Sequence, residues 1–190
     1  HLYFGRNAVS PGKKAIKVNT GSGRKEAHVV PAVQFRRYAT FKSRNDLTAH
    51  WGIQFFDSAG NAIANYPKYH IERGEAKNST HRTGGQYKST IRVFKNLRNY
   101  LVENNLLGEG VAPSYFLECA LFNVPDNLFV GSLTNTIPAI LGHLIEVPCD
   151  NFLCQNGVTS LIGTNSTQWT KEEYTQFVLA AIRAWSNWKT

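Results

Sequence analysis

The sequence predicts an α+β chain with strands first and helices afterwards. Before about residue 65 it carries short β-branched and aromatic runs, separated by Gly-, Asn- and Ser-containing turns. After residue 86 the apolar residues recur at helical spacing. Strand and helix patterns do not alternate, as βαβ units would require. The 190 residues are 42% hydrophobic and 18% charged, enough for a packed core and unlike a disordered, collagenous or coiled-coil chain.

The elements follow in order. Ala15–Val18 predicts a short strand, then a turn at 19–23, and Glu26–Phe35 predicts its hairpin partner. Trp51–Asp57 predicts another strand, with an exposed turn at 57–61 and a return arm over 62–64. The opening hairpins have no helix of their own before residue 86, so the sheet reads as uncovered. Tyr87, Ile91, Phe94, Leu97 and Leu101 mark an amphipathic helix over 86–106, after Gly84-Gly85 and before Gly108. Pro113 opens a second helix to about Phe122, apolar nearly all round. A third runs from about Leu133 to Ile145, with Pro138 blurring its register. The last spans Lys171–Trp188, with Thr170 and Glu173 spaced as a capping box.

No apolar run approaches the roughly 18 residues of a membrane span, and residues 1–10 lack the apolar core of a signal peptide. Cys119, Cys149 and Cys154 are too few and of odd number for a disulfide framework, and no ligand set at zinc spacing accompanies them. Reduced thiols in a cytoplasmic protein are the expectation. Charge is uneven. Residues 1–110 hold 18 basic and 7 acidic side chains, whereas residues 111–190 hold 3 and 6. A basic half beside a mildly acidic one points to phosphates or nucleic acid.

Candidate chemistry starts on the 86–106 helix, where Lys88, Arg92, Lys95 and, less well aligned, Arg98 or Asn99 form a stripe about 100° from the apolar one. Such cations repel one another unless an anion or an acid neutralises them. Ser114 and Tyr115 then sit in a first helical turn, where free N–H groups favour phosphate and a ring can stack on a base. His50, His70, His81 and His143 form no ligand set and read as surface or loop residues.

Several segments resemble template-independent nucleotidyltransferases, in particular the bacterial relatives of oligoadenylate synthase and cyclic GMP-AMP synthase. Glu26-Ala27-His28-Val29-Val30-Pro31-Ala32 with Gln34-Phe35-Arg36-Arg37-Tyr38 is similar to the strand bearing the third metal-binding carboxylate. Lys88–Arg98 resembles the spine helix, Pro113–Cys119 with Asn123-Val124-Pro125 resembles the next helix, and Gln168-Trp169-Thr170 fits the opening of the last. The likeness implies a partial nucleotidyltransferase palm sheet over residues 1–82 and a helical lobe over 83–190. It implies NTP as substrate, Mg²⁺ as cofactor and a cyclic or linear oligonucleotide as product. Lys95 is expected to hold donor phosphates with Lys88 and Arg92 assisting, Ser114 to touch phosphate, and Tyr115 to stack on the base.

Two departures qualify that expectation. The Gly-Ser turn and D-x-D pair that supply the first two carboxylates of this family are not found in the sequence, and two-metal phosphoryl transfer needs three. His28 stands where the third belongs, and an imidazole brings no negative charge to a hard cation. Glu26, on the same strand face, is the candidate substitute. The chain therefore reads as the later part of such an enzyme, binding NTP weakly and catalysing nothing alone, with the earlier lobe as a candidate partner. The alternative is a non-catalytic module holding RNA or DNA through its basic half and a protein through its helical half.

Overall fold

The structure, a computed structural model, describes residues 8–21, 23–165 and 167–188. They divide into two compact units, His1–Pro67 and Lys68–Thr190.

The first unit holds two three-stranded antiparallel sheets. One orders β1 (Val9–Pro11), β2 (Ile16–Val18) and β3 (Ala27–Val29), with Lys17 opposite His28. The predicted hairpin therefore forms, although Ser22 in its turn lies outside the described residues. Its second arm is shorter than expected. β3 stops at Val29, ahead of Pro31, which has no N–H to give a ladder, and the chain restarts as β4 (Val33–Ser43) in the other sheet. There β4 pairs with β5 (Asp46–Phe56), and β5 with β6 (Ala62–Asn65). Ser43 Oγ accepts the Asn45 and Asp46 amides at 3.3 and 3.1 Å, closing the tight β4–β5 turn. The 57–61 turn forms with residues 58–61 exposed, but its first residue is a correction. Asp57 is buried, taking hydrogen bonds from the Ala59 amide, the Asn61 amide and Asn61 Nδ2. The bonds from Asn61, side chain first, hold its carboxyl below the ordinary value.

The second unit is helical. Helices α1 (Pro67–Lys77) and α2 (Thr80–Thr83) come first, so the helical part starts ahead of residue 83. Next come α3 (Tyr87–Glu103), α4 (Ser114–Phe122), α5 (Leu133–Glu146) and α6 (Lys171–Trp188). The predicted stripe of α3 is buried throughout and shares one core with Leu117 and Leu121 of α4, Ile137 and Leu141 of α5, and Phe177 and Val178 of α6. Pro138 does not end α5. Thr134, whose carbonyl its missing N–H would have met, is exposed and open to water. The capping box closes: Glu173 N donates to Thr170 Oγ1 and Thr170 N to Glu173 Oε2, each at 3.2 Å.

A buried lysine ties α1 to this core. Lys77 Nζ donates to the Val124 carbonyl at 2.6 Å and Asp126 Oδ1 at 2.9 Å, among the rings of Tyr87, Phe122 and Phe129. Arg82 Nε holds the other Asp126 oxygen at 2.6 Å. No helix is long and apolar enough to cross a membrane among the described residues.

Candidate functional site

Lys88, Arg92 and Lys95 occur at intervals of four and three on α3, so they share one helical side. With Tyr87, Ile91, Gly74, Glu118 and Gln155 they line a cavity of about 220 Å³. Lys88 pairs with Glu75, and Lys95 Nζ lies 2.5 Å from Glu118 Oε1. Arg92 is exposed and has no hydrogen-bond or ion-pair partner among the described residues.

Glu118 binds on two sides. Its Oε2 lies 3.0 Å from His70 Nε2, and because a carboxylate can only accept, that nitrogen carries the proton. Its Nδ1 is buried and without a partner among the described residues. The His70 hydrogen bond and the Lys95 ion pair hold the Glu118 carboxyl below its ordinary value against the opposing effect of burial. The His70 ring stacks on Tyr115 at 5.3 Å and 21°. Tyr115 Oη accepts from Asn156 Nδ2 at 3.3 Å, and burial drives this phenol's pKa up.

Gln155 braces the cluster from behind. Its Nε2 donates to the His70 carbonyl at 2.7 Å, while Tyr87 Oη donates to its Oε1 at 2.6 Å. Gly74 permits this, because a Cβ there would sit 2.4 Å from Gln155 Nε2. At the start of α4, Arg98 reaches the Ala112 carbonyl at 2.5 Å and Ser114 Oγ at 3.3 Å. It thus serves the helix end rather than the cavity.

Five expected residues, Lys88, Arg92, Lys95, Ser114 and Tyr115, therefore fall on two neighbouring helix faces of one unit. Glu26 and His28 belong to the other unit, where Glu26 takes Lys17 at 2.9 Å and His28 Nε2 at 3.3 Å on an exposed strand. Among the described residues no group of three or more His, Cys, Asp or Glu could hold a metal ion. With one carboxylate already committed to a lysine, this pair does not fit Mg²⁺, which demands near-octahedral oxygen ligands.

Residues 72–186 match the cGAS/DncV-like nucleotidyltransferase C-terminal helical domain. The chain belongs to that family. A cyclic UMP-AMP synthase of Rhodothermus marinus is 37% identical over 186 residues, covering 98% of this chain and 63% of the relative. The cyclic nucleotide synthase CdnE01 of Staphylococcus haemolyticus is 36% identical over 190 residues, covering 97% of this chain and 62% of the relative. The chain thus spans less than two thirds of the length of these cGAS/DncV-like relatives. A solved structure of the Rhodothermus marinus CdnE c-UMP-AMP synthase with Apcpp and Upnpp has a TM-score of 0.89 at 38% identity, over 100% of this chain and 63% of that one.

Sequence reasoning missed the roles of Glu118 and His70. A signal existed for Glu118: it lies one turn after Ser114 on the same face, and it is the one acid in the helix facing a cationic stripe that needs neutralising. His70 read as a surface residue; its side chain is in fact 19% exposed and pinned between Glu118 and Tyr115. Nothing in the local pattern of α1 betrays this, because both partners lie more than forty residues away in sequence.

Proposed function

We propose that the helical unit binds the phosphates of a nucleoside triphosphate, within an enzyme that joins nucleotides into a cyclic product. One observation carries the reading: three cations of α3 converge on one small cavity, and Arg92 among them has no hydrogen-bond or ion-pair partner among the described residues. At about 220 Å³ the cavity suits a phosphate chain better than a whole nucleotide, since sites for drug-sized ligands start near ~300 Å³. In this reading Lys95 holds donor phosphates, Lys88 and Arg92 assist, and Ser114 lends a hydroxyl at the start of α4. Tyr115 offers a ring to the base on the side not taken by His70. The relative solved with Apcpp and Upnpp supports a nucleoside triphosphate as the ligand class.

Two-metal phosphoryl transfer needs three carboxylates, and among the described residues no such group is placed to hold a metal, so in this reading the chain by itself binds nucleotide and forms no phosphodiester bond. The test is saturable ATP and UTP binding with and without Lys95→Ala, alongside labelled NTPs with Mg²⁺ or Mn²⁺. Loss of binding in the variant, with no product from the parent chain, is the expected result. Oligonucleotide from the purified chain would show that the carboxylate argument is wrong.

A second reading, RNA or DNA held by the first unit, rests on the β4–β5 ribbon. Arg36 lies 3.6 Å over the Trp51 ring, beside exposed Tyr38, Phe41 and Lys42. Polynucleotide affinity falling steeply with salt, and indifferent to Lys95→Ala, distinguishes it.

A further inference from the structure

Glu118 is an odd neighbour for a lysine meant to receive phosphate. Its carboxylate already occupies Lys95, lines the same cavity, and would repel any anion that entered. A partly buried carboxylate stripped of its cation is costly unless another donor holds it. Here such a donor is in place, because the two oxygens are divided, Oε1 to Lys95 and Oε2 to His70 Nε2–H. His70 in turn is held by Tyr115 against its ring and by Gln155 on its carbonyl.

We propose that Glu118 is a tethered stand-in for phosphate, holding Lys95 until an arriving phosphate displaces it and leaves the carboxylate on His70. The inference rests on the phosphate-site reading above and adds a positioning role for two residues. Lys95 is kept extended towards the cavity instead of roaming in solvent. An anion takes Lys95 when it binds the ammonium more strongly than the one carboxylate oxygen does, so the exchange favours the multiply charged triphosphate over singly charged anions.

The test measures binding of inorganic tripolyphosphate to the whole chain at fixed neutral pH and ionic strength. Glu118→Gln keeps the shape and removes the competing charge, and about tenfold tighter binding is expected. Glu118→Ala removes the competing charge together with the side chain, should also bind more tightly, and serves if the glutamine variant misfolds. His70→Ala should weaken binding several-fold in the parent, where the displaced carboxylate loses its holder, but leave Glu118→Gln unchanged. Equal or weaker binding by folded Glu118 variants would overturn the proposal, reducing Glu118 to a structural partner of Lys95. Equal loss from His70→Ala in both backgrounds would overturn the part given to His70. Unchanged binding in Lys95→Ala would remove the site reading itself, a failure visible without any Glu118 variant.

Discussion

Glu118 and Asp126, both partly buried, contribute to how the helical unit responds to acid. Glu118 is lowered by His70 and Lys95. Burial opposes the ionised form of Asp126, but Arg82 and Lys77 outweigh it and lower that group as well. A carboxylate depressed in the folded state contributes stability above its ordinary value, here 4.5 and 3.8, and loses it as pH falls through the lower folded-state value. Melting temperature should therefore fall in that acid window, with Glu118→Gln removing part of the slope. Asp126→Ala is the sharper case. It leaves the ammonium of Lys77, a side chain only 2% exposed, among three aromatic rings without its anion. A loss of about 3 kcal/mol in denaturant unfolding is expected. At this scale the sequence is legible where a residue packs through its own helical face, as Phe94 and Leu97 of α3 do, and mute where partners meet across the fold. Lys77 looks like any surface lysine at a helix end until Val124 and Asp126 are seen to enclose its head group.

Helices announce themselves better than strands here. The α3 stripe and the α6 capping box are local patterns, and both appear as the spacing predicts. The β4–β5 ribbon is less legible, because Arg36 to His50 alternates polar and apolar residues poorly and exposes both faces over most of its length. With no buried face there is no period-2 signal to read, only the Arg44-Asn45 turn. Two substitutions test element-level packing. Gly74→Ala would push the Gln155 amide off its seat between His70 and Tyr87, costing about 2 kcal/mol, and should weaken tripolyphosphate binding through His70. Thr170→Ala opens the capping box and should cost about 1 kcal/mol with no effect on anion binding. Together they separate a helix that serves the cluster from one that serves only the core.

On the scale of the whole chain, core and charge are segregated. The large apolar cluster lies entirely between Tyr87 and Ala184, whereas the first unit carries exposed Val33, Phe41 and Phe56 on thin sheets. Limited trypsin digestion should cut first around Lys42 and Arg44 at the ribbon tip and spare the helical unit, as mass spectrometry of the surviving fragment would show. The three thiols share this segregation. Cys119, Cys149 and Cys154 are all buried in the helical unit; burial raises the pKa of Cys119 and Cys149, whereas the hydrogen bond with Cys119 lowers that of Cys154 to about 6, so access and not ionisation limits its labelling. The chain thus carries a one-sided clock. Alkylation counts only those moments when the helical unit breathes, the sheet unit can open and close without leaving a mark, and slower labelling under tripolyphosphate would time how firmly the ligand shuts that unit.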